Sequence, residues 1–81
     1  MKKIKPQKRY CPLPEELEIG LEKAINNTWK DVPSHRDISC YQLDNVDVYF
    51  VDIVFYFSTG VSEATLKYNQ FGWSLVDTNI I

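Results

Sequence analysis

The stretch VDVYFVDIVFYF, residues 46–57, is built from Val, Ile, Tyr and Phe with two Asp and no Gly or Pro. That composition specifies a β-strand, in which successive side chains point to opposite sides. The odd side carries Asp47, Tyr49, Val51, Ile53, Phe55 and Phe57; the even side carries Val46, Val48, Phe50, Asp52, Val54 and Tyr56. Both sides are apolar, so the segments around the strand must decide which one faces a core.

Three turn signals, Asp44-Asn45, Thr59-Gly60 and Asn69-Gln70-Phe71-Gly72, divide the second half of the chain. They mark four strands at 38–43, 46–58, 61–68 and 73–79, joined closely enough for an antiparallel meander. A two-residue Thr59-Gly60 loop pairs Phe55 with Ala64, Ile53 with Leu66 and Val51 with Tyr68 on the odd side. On the even side it pairs Val54 with Thr65 and Asp52 with Lys67, opposite charges that support the register. A turn on Gln70-Phe71 sets Tyr68 against Trp73 and Leu66 against Leu75. An Asp44-Asn45 loop sets Cys40 against Tyr49 and Ile38 against Val51 inside, with Tyr41 against Val48 and Leu43 against Val46 outside. All three hairpins make the odd side of residues 46–57 the inner one.

The cover for that side lies upstream, in PEELEIGLEKAINNTWK, residues 14–30. Pro14 suits a first helical turn, Glu15, Glu16 and Glu18 favour its positive end, and Lys30 sits at the other. Leu17, Leu21, Ala24, Ile25 and Thr28 form one stripe of a 3.6-residue period, bordered by Trp29, which closes one end of the core. The stripe is expected on Val51, Ile53, Phe55, Leu66, Trp73 and Leu75. Gly20 within the helix costs about 1 kcal/mol relative to Ala, which points to a close contact there.

The fold expected is therefore α+β: one N-terminal helix on a four-stranded antiparallel meander, in the order α-β-β-β-β. At 81 residues this is a single domain, spanning 13–81, that hides roughly 63% of its unfolded surface. Residues 1–12, with Pro6 and Pro12 among Lys and Gln, read as a basic, unfolded arm. The phrase FGWSLVDTN, residues 71–79, resembles the last strand of cystatin-like and related helix-on-curved-sheet domains. The resemblance covers nine residues and implies a fold whose members include inhibitors, binding modules and enzymes.

The formal net charge of −2 hides an uneven distribution. Lys2, Lys3, Lys5, Lys8 and Arg9 lie in the arm, while Lys23, Lys30, Arg36 and Lys67 face all eleven acidic residues, leaving −7 over residues 10–81. Such a body repels nucleic acid and attracts basic partners. No apolar run follows the basic start, so no signal peptide is expected, and a cytoplasmic location is. The longest apolar run, the quoted stretch, falls short of the twenty or so residues of a spanning helix, so no membrane partner is expected. Cys11 and Cys40 lack metal-ligand spacing and are expected as free thiols.

No catalytic, cofactor or metal grouping is expected. His35 is the single histidine, placed in a solvated loop over 31–37. Asp47 and Asp52 fall on opposite faces of one strand and cannot act as an acid–base pair. Gly20, Gly60 and Gly72 form no phosphate-cradling loop. Cys40 points inward with no cation evident to activate it. Outward Tyr41, Phe50 and Tyr56 resemble the stacking surface of RNA-recognition modules, but the basic-Gly-aromatic signature is missing and the strand and helix order differs. Only Lys2, Lys3, Lys5, Lys8 and Arg9 are placed to meet phosphates.

What remains is the outer face. Over the last two strands it is ordinary, with Glu63, Thr65, Lys67, Ser74 and Thr78. Over the first two it shows Tyr41, Leu43, Val46, Val48, Phe50, Val54 and Tyr56, an apolar patch of roughly several hundred Å², as large as a monomer tolerates. Its cover is the chain's own arm, loop or Ile80-Ile81, a second copy, or another protein. The leading expectation is a non-enzymatic acidic module that binds and blocks another protein, in the manner of immunity, antitoxin-like or anti-defence inhibitors. Tyr41, Leu43, Val48, Phe50, Val54 and Tyr56 form its patch, and Asp44, Asp47 and Glu63 its charged rim. The alternatives are a homodimeric structural or assembly module and a small-ligand binder with a pocket between helix and sheet.

Overall fold

The computed structural model describes residues 7–43 and 48–81. Six elements follow in order: β1 (Lys8–Tyr10), α1 (Glu15–Thr28), β2 (His35–Leu43), β3 (Tyr49–Phe57), β4 (Gly60–Asn69) and β5 (Gly72–Ile80). The strands form one antiparallel sheet in the order β1-β2-β3-β4-β5. The architecture is α+β, one helix on an antiparallel sheet, with five strands where four were expected. The fifth is β1, three residues of the supposed arm that pair Lys8 with Leu43, Arg9 with Gln42 and Tyr10 with Tyr41. Residues 1–6 of that arm lie outside the described residues.

The helix begins where the sequence requires, with Leu17 N–H donating to Pro14 O at 2.9 Å and three Glu in the first turn. It ends at Thr28, short of Lys30, with no basic residue in its last turn. Thr28 Oγ1 donates back to Ala24 O at 2.8 Å, a bond that favours leaving the helix. Trp29 then turns extended and sets its ring 4.7 Å from that of Phe55.

Val51, Ile53 and Phe55 are completely buried, with Ala64 and Leu66 of β4 beside them and Leu21 and Ile25 of the helix above. The odd side of β3 is thus the core. Burying a side chain of this size is worth about 1.5–3 kcal/mol, so these few residues carry most of the hydrophobic stabilisation. The close contact implied by Gly20 is with Trp73: a Cβ there would lie 3.1 Å from the indole Cδ1 and Nε1. Trp73 Nε1–H also donates to Leu17 O at 3.3 Å, fixing α1 over β5.

Two registers differ from expectation, each by two residues. Tyr56 faces Val61 and Phe57 faces Gly60, so the loop is Ser58-Thr59, and Ile53 meets Ala64 while Val51 meets Leu66. Asp52 consequently faces Thr65 and not Lys67. Gly60, with φ +152°, follows the loop as Gly72, with φ +100°, follows Gln70-Phe71, the last-position glycine favoured after a type I turn. Between β2 and β3 the pairs are Cys40 with Val51, Ile38 with Ile53 and Tyr41 with Phe50. The link there is longer than Asp44-Asn45, and β2 begins at His35, inside the expected loop. A shift of two preserves the side on which every residue points.

In β5 the expected pairs Leu66 with Leu75, Lys67 with Ser74 and Tyr68 with Trp73 hold, and then the register breaks. Leu75 meets Leu66 but Asp77 meets Thr65, leaving Val76 as an unpaired bulge. Thr78, expected outside, therefore sits across from Ala64 on the helix side. Leu75 and Ile38, expected in the core, are 46% and 41% exposed because α1 does not reach them. Arg36 forms an ion pair with Glu22 across the opening between β2 and α1.

Gly20→Val is expected to destabilise the protein by about 1–3 kcal/mol, by forcing the Trp73 indole off the helix. Urea unfolding followed by tryptophan emission should show a lower midpoint at unchanged slope; an unchanged midpoint would mean that the slot is loose.

Candidate interaction face

The outer side of the sheet is organised around Asp52, in the middle of the central strand. Its Oδ1 accepts from Thr65 Oγ1 at 2.7 Å and from Tyr41 Oη at 3.2 Å, and its Oδ2 from Lys8 Nζ at 3.4 Å. One carboxylate thereby ties β3 to β4, β2 and β1. The Lys8 ammonium also lies 4.7 Å above the Tyr41 ring, a favourable place for a cation on an aromatic face. Lys8, one of the arm residues placed to meet phosphates, is therefore engaged on the protein itself. Lys2, Lys3 and Lys5 lie outside the described residues.

The aromatic cluster at this end of the face is covered from within the chain. Tyr10 packs on Tyr41 at 5.8 Å between centroids, and Tyr41 stacks on Phe50 at 5.6 Å. Tyr41 is left 6% exposed, beside Tyr10 and the Lys8 ammonium. Ile80 and Ile81 do not fold back as cover and remain exposed.

Leu43, Val48, Phe50, Val54 and Tyr56 are half-buried. Leu43, Phe50, Val54 and Tyr56 share the outer face by register, opposite the helix. Glu63 stands directly across from Val54 and accepts from Asn79 Nδ2 at 3.4 Å. Asp44 and Asp47 lie outside the described residues. Two carboxylates not singled out from the sequence join the rim: Asp37 on β2, and Asp77, which pairs with Thr65 through the bulge. A shallow cup of about 220 Å³ lies between Asp52, Val54, Glu63, Thr65 and Asp77, below the usual size of a small-molecule site. A larger cleft, about 670 Å³, opens between α1 and β2 at Leu13, Ile19 and Ile38.

His35 heads β2 with its Nε2 3.0 Å from Asp37 Oδ1, while Tyr56 Oη donates to Asp37 Oδ2 at 3.2 Å and the two rings lie 5.5 Å apart. The group is open to solvent and clasps β2 to β3. Among the described residues no three His, Cys, Asp or Glu side chains gather closely enough to hold a metal ion.

Burial, and next the charge and hydrogen bond of Asp52, push the Tyr41 phenol up to about 12. The Asp37 hydrogen bond and charge raise Tyr56 in the same direction. A phenol with a raised folded pKa contributes stability that is complete below its ordinary value of 10.0 and is lost as pH climbs toward 12. Thermal melts between pH 8 and 12 should therefore fall steeply above about pH 10, and Tyr41→Phe should flatten that fall while lowering stability at neutral pH. Equal slopes in the two proteins would remove Tyr41 as the cause. In comparisons with known proteins, no family model, no curated protein and no solved structure matches this chain.

Proposed function

We propose that this chain is a small acidic protein-interaction module that binds and blocks another protein through the outer face of β2 and β3. The observation that carries the reading is the apolar strip Leu43, Phe50, Val54 and Tyr56, half-buried on the sheet and rimmed by Asp37, Glu63 and Asp77. An apolar centre inside a carboxylate rim suits a partner with an apolar patch ringed by Lys and Arg. The strip lies on regular strands, so little ordering cost is added on binding. A standard interface takes about 800 Å² from each partner, a modest share of the 6269 Å² surface of this chain. Blocking then works by occupancy, with the partner's own surface covered.

A homodimeric module is the second reading, favoured by β5. Among the described residues no strand lies beside its outer edge, and Leu75, Val76 and Ile80 are exposed on β5 with Asp77 as its single charge. Such an edge accepts another strand unless it is protected.

Phe50→Asp and Val54→Arg are expected to weaken partner binding by tenfold or more, about 1.4 kcal/mol, while Ile19→Asp on the helix leaves it unchanged. Titrations with a partner isolated from the native host should also show affinity falling as salt rises. Retention of binding by both outer-face variants would overturn the reading. A mass by light scattering that doubles with concentration, insensitive to salt and to Phe50→Asp, would favour the β5 dimer instead.

A further inference from the structure

Past β1 the ladder to β2 runs one step further. Cys11 N–H donates to Cys40 O at 3.1 Å, directly beyond the Tyr10 to Tyr41 pair. Hydrogen-bonded residues facing each other across antiparallel strands have Cα atoms about 5.5 Å apart, inside the span of about 4.4–6.8 Å that a disulfide bridges. Tyr10 packs on Tyr41 at the outer face, so the alternation of side chains puts Cys11 and Cys40 together on the helix side. Both line the cleft of about 670 Å³ between α1 and β2, with Leu13, Ile19 and Ile38. Both are half-buried free thiols, reachable through that cleft.

We propose that Cys11 and Cys40 are a reversible dithiol–disulfide pair, oxidised by exchange with a low-molecular-weight disulfide of the glutathione class, and that the bond clamps the β1 segment onto β2. The Cys11 thiolate attacks one sulfur of the small disulfide, whose S–S bond breaks and whose other half leaves as a thiolate and takes up a proton. Cys40 then gives its proton to solvent and attacks the Cys11 sulfur, expelling the second small thiol. Two protein thiols are oxidised and one small disulfide is reduced to two thiols. Burial, and then the neighbouring Cys11, push the Cys40 thiol up to about 12, which favours Cys11 as the first nucleophile. Closing this bond fixes Lys8 and Tyr10 over Tyr41, whatever that face binds.

The test uses the full chain, fully reduced and then incubated with oxidised glutathione at neutral pH. Intact mass should fall by two hydrogens, and peptide mapping should join Cys11 to Cys40. Cys40→Ser should stop as a glutathione adduct on Cys11, and Cys11→Ser should react at least tenfold more slowly. The oxidised wild type should melt about 10 °C higher and show slower hydrogen exchange at Tyr10 and Cys11. Stable double adducts, chain-to-chain disulfides, no reaction of the folded protein, or a lower melting temperature on oxidation would each overturn the proposal.

Discussion

A single helix must cover a sheet wider than itself, and most of the structure follows from that mismatch. With its side chains α1 is about 10–12 Å across, while five strands at about 4.8 Å spacing span roughly 19 Å. Only the middle can be closed. Val51, Ile53 and Phe55 of β3 and Leu66 of β4 receive the helix, and Ile38 on β2 and Leu75 on β5 stay partly in water. Gly20 and the Trp73 indole settle where the helix lies, since contact without a Cβ and a hydrogen bond to Leu17 O draw it toward β5. The cleft between α1 and β2 is the space left behind, and it is where the two cysteines are reached.

The second side of β3 is neither core nor plain surface. A carboxylate amid apolar neighbours would be costly without partners, yet Asp52 has three donors, each from a different strand. That satisfaction lets Phe50 and Val54 remain apolar around it, with Tyr41 buried under β1. The same network divides the face into an end covered by the chain itself and an open strip running past Val54 to Tyr56.

The sidedness of the strands was legible in the sequence because hydrophobic alternation has a period of two, and a register error of two leaves it intact. The offset itself depends on turn chemistry. Gly60 and Gly72 occupy the same place after their turns, so the 69–72 turn, read correctly, contained the signal for Ser58-Thr59. The three residues of β1 were hidden by Pro6, Pro12 and the basic composition around them. With β1 hidden, the Lys8–Asp52 pair, the cover over Tyr41 and the nearness of Cys11 to Cys40 were hidden too. Leu43, Phe50, Val54, Tyr56 and Glu63 could be assigned to one face from parity alone. Asp77 could not, because nothing in SLVDTN announces a bulge at Val76.

That bulge also bears on how β5 can change over generations. Loss of Val76 would leave Leu75 and Asp77 in adjoining register positions, with Asp77, Thr78 and Asn79 on the faces they occupy now. Loss of a residue within 77–79 would instead turn part of the strand over, sending polar side chains toward Ala64 or apolar ones outward. Val76 is thus the position in β5 where chain length can vary by one residue without the two faces exchanging their chemistry.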